Sequence, residues 1–233
     1  MRIWLPIVLG LLLFSAAARA EAPCTPLVLT AVTISEETTG FSIDAEYPVL
    51  CRTEANPVIR DFVSNTVFDL KKLDPAHDMQ FFPHKYELIT RYAVWPSPGA
   101  RFVSVKLHVM VYSGGAHPNN WPMTWVFDMT DGSQVPLDRL FTDPEKALPA
   151  VSAACRKALI PALGQMYLKD MLDPGLEPIE DNFERFALTV EGVAFFFAPY
   201  QVAPYAAGEQ VVTIPYADLA PLFSPDVARA LGL

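Results

Sequence analysis

The segment Ser113-Gly114-Gly115-Ala116-His117-Pro118-Asn119 places a hydroxyl, an imidazole and a carboxamide close together in the chain. A serine within reach of a histidine could act as a nucleophile, and an imidazole beside a carboxylate could exchange protons. Gly114 and Gly115 permit positive φ and an unusual, tight backbone path. Proximity in sequence does not make a triad, however, and no Gly-x-Ser-x-Gly elbow occurs anywhere in the chain. The same residues also suit a wide hairpin turn, in which Ser113 and His117 only satisfy backbone groups. His77, His84, His108 and His117 are the whole histidine supply, and their spacing matches no metal-binding box. The reading therefore expects no metal, no cofactor and no assignable catalytic residue.

A second segment, residues 197–208, carries two Pro-Tyr pairs, Pro199-Tyr200 and Pro204-Tyr205. Tyrosines on a stiff loop give contact area at low entropic cost, which suits a binding surface. Equally, both rings could pack back onto the sheet with only their hydroxyls wet. The ligand-binding candidates are thus Ser113, Gly114, Gly115, His117, Asn119, Tyr200 and Tyr205.

These segments need elements to hold them. Residues 27–34 and 41–47 alternate apolar and polar and predict a hairpin, with Phe41, Ile43, Ala45 and Tyr47 on one face. Residues 56–73 switch to helical spacing, and Pro57 suits the first turn. Residues 75–85 are polar and mixed. Residues 86–95, 102–112 and 121–129 predict strands. In the second of these, Val103, Val105, Leu107, Val109 and Val111 form the core side. Asp143 and Pro144 open a long helix running to about residue 166. Residues 186–189 and 193–197 predict a second hairpin, 211–214 a last strand and 216–223 a short helix. The expected class is α+β, with a mainly antiparallel sheet and two main helices packed against it.

The ends and the charge bound the class further. Arg2, an apolar run over residues 3–14 and Ala18-Arg19-Ala20 read as a signal peptide over 1–20, cleaved after Ala20. The apolar run is shorter than the ~20 residues a spanning helix needs, so no stable membrane span is expected after cleavage. The net charge is −9, and the leader carries two arginines and no acid. An acidic chain argues against nucleic acid and anionic lipid and permits a basic protein partner. Asp170, Asp173, Glu177, Glu180, Asp181, Glu184 and Glu191 gather late, broken by Pro174, Gly175 and Pro178, and read as a solvated loop. Cys24, Cys51 and Cys155 allow one disulfide in an oxidising compartment. Three pairings are open. Cys24–Cys51 is preferred because it would staple the new N-terminus to the end of the first hairpin, with Cys155 a buried small hydrophobe.

Taken in order, several segments resemble a known family. The turn 113–119 is followed by an aromatic strand and by Asp131-Gly132-Ser133-Gln134-Val135-Pro136-Leu137-Asp138-Arg139-Leu140-Phe141. A second run is Leu188-Thr189-Val190-Glu191-Gly192, Phe195-Phe196-Phe197, Pro199-Tyr200, Ala203-Pro204-Tyr205-Ala206, Gly208 and Val212-Thr213-Ile214-Pro215-Tyr216. Both are similar to signatures of the domain of unknown function 3298, the extracellular part of RsiV-type anti-sigma factors. Residues 41–73 are similar to its N-terminal partner domain in PdaC-type proteins. The resemblance implies a partner domain over 21–75, extending as far as about 112, and an RsiV-type domain over 76–233, packed as one unit. In RsiV-type members the domain is a lysozyme sensor, and in PdaC-type members catalysis belongs to a separate deacetylase domain. The family supplies no established catalytic residues. The expected function is an exported, periplasmic or secreted binding module for lysozyme or peptidoglycan fragments. The alternatives are an envelope hydrolase, acting on glycan or ester through His117 and a nearby carboxylate, and a structural or assembly component.

Overall fold

Strictly alternating sequences form the first layer. The computed structural model describes residues 24–75 and 84–233. The leader reading, His77 and most of the 75–85 segment lie outside the described residues. Strands β1 (Val28–Glu37), β2 (Phe41–Leu50), β3 (Tyr86–Pro96), β4 (Phe102–Tyr112) and β5 (Asn119–Asp128) make one sheet in that order. All neighbours are antiparallel except β2 and β3, which run parallel. A parallel pair needs a long crossover, and helix α1 (Asn56–Lys71) lies within it. The sheet therefore draws strands from both sides of residue 75.

Helix α1 buries Ile59, Val63 and Leu70 against Ile43, Ala45, Leu88, Val105, Leu107 and Val109. Pro57 stands in its first turn, where a missing N–H costs nothing. The Cys24 and Cys51 sulfurs are bonded, closing the chain before β1 onto the end of β2.

A second core lies on the opposite face of β4 and β5. There Phe102 and Val126 pack with helix α2 (Pro144–Leu163) and a small antiparallel sheet. That sheet has the order β6 (Phe186–Leu188), β7 (Gly192–Phe197), β8 (Gln210–Pro215). The Asp143 carboxylate accepts from the Lys146 amide and caps α2. Ser104 of β4 joins the two layers: its hydroxyl accepts from the Leu188 amide at 2.8 Å and donates to the Leu188 carbonyl at 3.2 Å. Both faces of β4 are thus buried at its start. The class is α+β, with the two longest helices, α1 and α2, on opposite faces of the larger sheet.

Two segments differ from expectation. The acidic stretch keeps its carboxylates at the surface but is not a loop throughout: it includes helices α3 (Lys169–Gly175) and α4 (Glu180–Phe183), with Leu172, Leu176 and Phe183 buried in the second core. Proline in the last turn of α3 and the brevity of both helices hid their period. After α5 (Tyr216–Leu219), a further helix α6 (Pro225–Leu231) closes the chain. Pro225 at its start and Gly232 in the left-handed region at its end are the expected punctuation.

Arg101 ties α6 to the larger sheet. Its guanidinium donates to Asp128 Oδ2 at 2.8 and 3.1 Å and to both Asp226 oxygens at 2.8 and 3.0 Å. No described helix is long and apolar enough to cross a membrane.

Candidate functional site

The two segments singled out by residue type meet in space. The first spans the turn between β4 and β5. Gly114 and Gly115 both have positive φ, 94° and 100°, the region that excludes most side chains. Tyr112 at the end of β4 donates its hydroxyl to the Gly115 carbonyl at 3.2 Å. The turn ends with the His117 Nδ1 2.9 Å from the Pro118 carbonyl.

The second segment joins β7 to β8. Tyr200 sits at φ 73°, a left-handed conformation for a non-glycine residue, which persists only where the surroundings fix it. They do so here. Gln201 N–H donates to the Ala198 carbonyl, and Tyr200 N–H to that of Ala203. The Gln201 side chain donates to the Asn182 carbonyl at 2.9 Å. Asn182 donates in turn to the carbonyls of Pro174 and Glu177. Below the loop, a Cβ on Gly175 would overlap the Gln201 carbonyl. The acidic stretch is therefore the buttress of this loop. Gly175→Ala is expected to lower unfolding stability by about 1–3 kcal/mol through overpacking, measured by urea denaturation. A midpoint equal to that of the native protein would show that the Gln201 segment yields freely.

The imidazole of His117 stacks on the Tyr205 ring, centroids 3.9 Å apart and planes 23° from parallel. Tyr200 completes the group, its centroid 5.5 Å from Tyr205 and 6.4 Å from His117. Tyr205 is locked by its hydroxyl, which donates to the Pro118 carbonyl at 2.8 Å and accepts from Asn120 Nδ2 at 2.9 Å. His117 Nδ1 faces the Pro118 carbonyl, and its Nε2 lies 3.5 Å from the Tyr200 hydroxyl. Tyr200 remains 57% exposed. Of the two readings of the tyrosines, Tyr205 packs inward, onto the turn, and Tyr200 faces solvent.

Beside this platform is a cleft of about 200 Å³ lined by His108, Asn120, Trp121, Pro199, Tyr205 and Glu209, with Gly208 at its rim. Glu209 is paired with Lys106, whose ammonium lies 4.5 Å above the Phe196 ring.

His117, Tyr200 and Tyr205 come together, flanked by Gly114 and Gly115. Ser113 makes no hydrogen bond to His117 among the described residues, and Asn119 points away: strand alternation gives the platform Asn120 instead. Asn120, His108 and Glu209 were not singled out by sequence. They carry no motif, and only the fold puts them beside Tyr205. Among the described residues no Asp or Glu is hydrogen-bonded to His117, and no group of three or more His, Cys, Asp or Glu could hold a metal ion. Burial pushes the Cys155 thiol up to about 12, so it stays protonated and unreactive.

The immunogenic protein MPT64 of Mycobacterium tuberculosis is 31% identical over 132 residues, 56% of this chain and 57% of that protein. The chain thus spans little more than half the length of that relative. The peptidoglycan-N-acetylmuramic acid deacetylase PdaC of Bacillus subtilis is 24% identical over 174 residues, 75% of this chain but 37% of that protein. The esterase Rv3036c of M. tuberculosis is 24% identical over 119 residues, 51% of each chain. A crystal structure of a DUF3298 family protein from Pseudomonas aeruginosa has the same fold. Its TM-score is 0.62 at 16% identity, over 85% of this chain and 95% of that one. The family model described as "Protein of unknown function (DUF3298)" matches residues 138–217, a stretch that includes Tyr200 and Tyr205 and leaves the His117 turn outside. Residues 138–217 thus match the DUF3298 family model, and the chain shares its fold with a DUF3298 family protein.

Proposed function

We propose that this chain is a non-catalytic binding module of the cell envelope, taking a glycan fragment of peptidoglycan on the His117–Tyr205–Tyr200 platform and in the adjoining cleft. The observation that carries the reading is the pre-formed stack of His117 on Tyr205, held by the Pro118 carbonyl and Asn120. Sugar rings offer apolar C–H faces to aromatic rings and hydroxyls to polar groups. Tyr200 and Tyr205 supply the rings, and Asn120, His108 and Glu209 supply polar atoms at the cleft. The name of the relative PdaC places that protein on peptidoglycan, which favours the same polymer here. The Cys24–Cys51 bond fits an oxidising compartment, in keeping with export to the periplasm or beyond.

The esterase relative raises the hydrolase reading, but among the described residues the hydrogen bonds of His117 go to Pro118 and Tyr200 and to no carboxylate or serine. The acidic stretch is also a weaker lure for a basic protein such as lysozyme than its composition implies, because Asp173 is already paired with Arg156 and Lys169.

The test is calorimetry of the purified chain lacking residues 1–20 against a disaccharide muropeptide, with lysozyme titrated in parallel. Saturable muropeptide binding that weakens at least about tenfold in Tyr200→Ala and Tyr205→Ala is expected. Absence of muropeptide binding sinks the proposal, and saturable binding of lysozyme alone would transfer the platform to a protein partner.

A further inference from the structure

A second hollow lies on the outward face of the small sheet, outside both main cores. Its volume is about 240 Å³. Trp95 of β3, Phe196 of β7 and Val211 of β8 give it an apolar lining, and Thr213 and Glu191 add polar atoms. Trp95 stacks on Phe196, ring centroids 6.0 Å apart and planes 21° from parallel. Phe196 is buried, but Trp95 is only half-buried, and the neighbouring Val211 and Val190 are 49% and 68% exposed. Thr213 and Glu191 are exposed as well. The groups that would meet a ligand therefore already face solvent.

Among the described residues the hollow shares none of its lining with the platform cleft, yet one strand face joins them. Val212 and Ile214 of β8 are buried in the second core. Alternation therefore turns Val211 and Thr213 outward, and Glu209, just before the strand, with them. Glu209 lines the cleft, and Val211 and Thr213 line the hollow. The chain advances about 13 Å from Glu209 to Thr213. Between the two ends lies Lys106 of β4, ion-paired with Glu209 and 4.5 Å above the Phe196 ring. Both charged side chains are largely buried and neutralise each other, so they form a low saddle without net charge.

We propose that the platform cleft and this hollow are two subsites of one groove, which takes a glycan strand of several sugars, one end at Tyr205 and the other against Trp95. This second subsite rests on the glycan reading of the platform and lengthens its ligand from a disaccharide to a strand. An indole ring offers a flat apolar surface to the C–H face of a sugar, and Thr213 and Glu191 offer oxygens to its hydroxyls. The pairing of Lys106 with Glu209 leaves the stretch between the subsites uncharged, which suits a neutral sugar backbone.

The experiment is calorimetry on the purified protein with the disaccharide muropeptide and with its tetrasaccharide, two such units joined through the glycosidic bond. The tetrasaccharide is expected to bind at least about tenfold more tightly than the disaccharide. Trp95→Leu keeps an apolar cover on Phe196 while removing the indole ring. Val211→Glu places a charge on the exposed face between the subsites and disturbs no core. Each should bring the tetrasaccharide down to the affinity of the disaccharide and leave the disaccharide itself unchanged. Tyr205→Ala should weaken both ligands. Disaccharide binding with no gain for the tetrasaccharide would overturn the second subsite and leave the platform reading standing. A gain that survives in both Trp95→Leu and Val211→Glu would overturn it too, since the added sugars would then lie elsewhere. Absence of binding by either ligand would overturn the platform reading and this subsite together.

Discussion

Arg101→Met is expected to lower the unfolding free energy by about 3–5 kcal/mol, the usual cost of stranding one member of a buried ion pair. Asp128 is the stranded member: its side chain is 2% exposed, and Arg101 is the cation that meets it. The contact with Asp226 adds little to that figure, because that carboxylate is largely in water. Burial by itself would raise the Asp128 carboxyl, but hydrogen bonds from Arg101 and Thr130 outweigh it and hold the group below the usual carboxylate range. A carboxyl depressed in the folded state stabilises above its unfolded value, near ~3.9, and that stabilisation is lost as pH falls through the folded value. The native protein should therefore lose stability on acidification below about pH 4. In Arg101→Met the opposing cation is gone, so protonation of Asp128 relieves the variant and its deficit should shrink with falling pH. Urea melts of both proteins across that range measure this. A deficit under about 1 kcal/mol, within the range of an exposed pair, or one that does not change with pH, would show that Asp128 finds other partners.

Replacing Cys24 and Cys51 together by serine is expected to cost about 3–4 kcal/mol in the chain-entropy account for their separation of 27 residues. The loss should be uneven. Among the described residues β1 is an edge strand paired only with β2, and all of its residues are exposed or half-buried. Hydrogen exchange should quicken first along residues 28–37, while the amides of β4 and β5, buried between two cores, stay protected. A denaturation midpoint that is the same with and without reductant would remove the disulfide from the stability of this fold.

The large features of this fold are written in period. Residues 102–112 alternate so strictly that β4 could not be misread, and Asp143-Pro144 marks the start of α2 to the residue. The failures lie where period is too short to register. Helices α3 and α4 have seven and four residues, and their burial depends on single anchors such as Leu172 and Phe183. The site divides the same way. Each loop announced itself by composition, glycines in one and Pro-Tyr pairs in the other. Their meeting could not be read, because Tyr205 and Pro118 are 87 residues apart and only the packing of the small sheet on β4 brings them together. Asn119 and Asn120 were indistinguishable in type, and the parity of β5 chose between them.

The carbonyl of Pro118 serves two donors, the His117 imidazole and the Tyr205 hydroxyl. One oxygen thus acts as a shared latch between loops that are distant in sequence. Displacing that carbonyl would cost both donors their acceptor, so the positions of the two loops are coupled through it. Tyr205 is held by these bonds with no ligand present, so a ligand bound at Tyr205 would not bear the cost of ordering that ring.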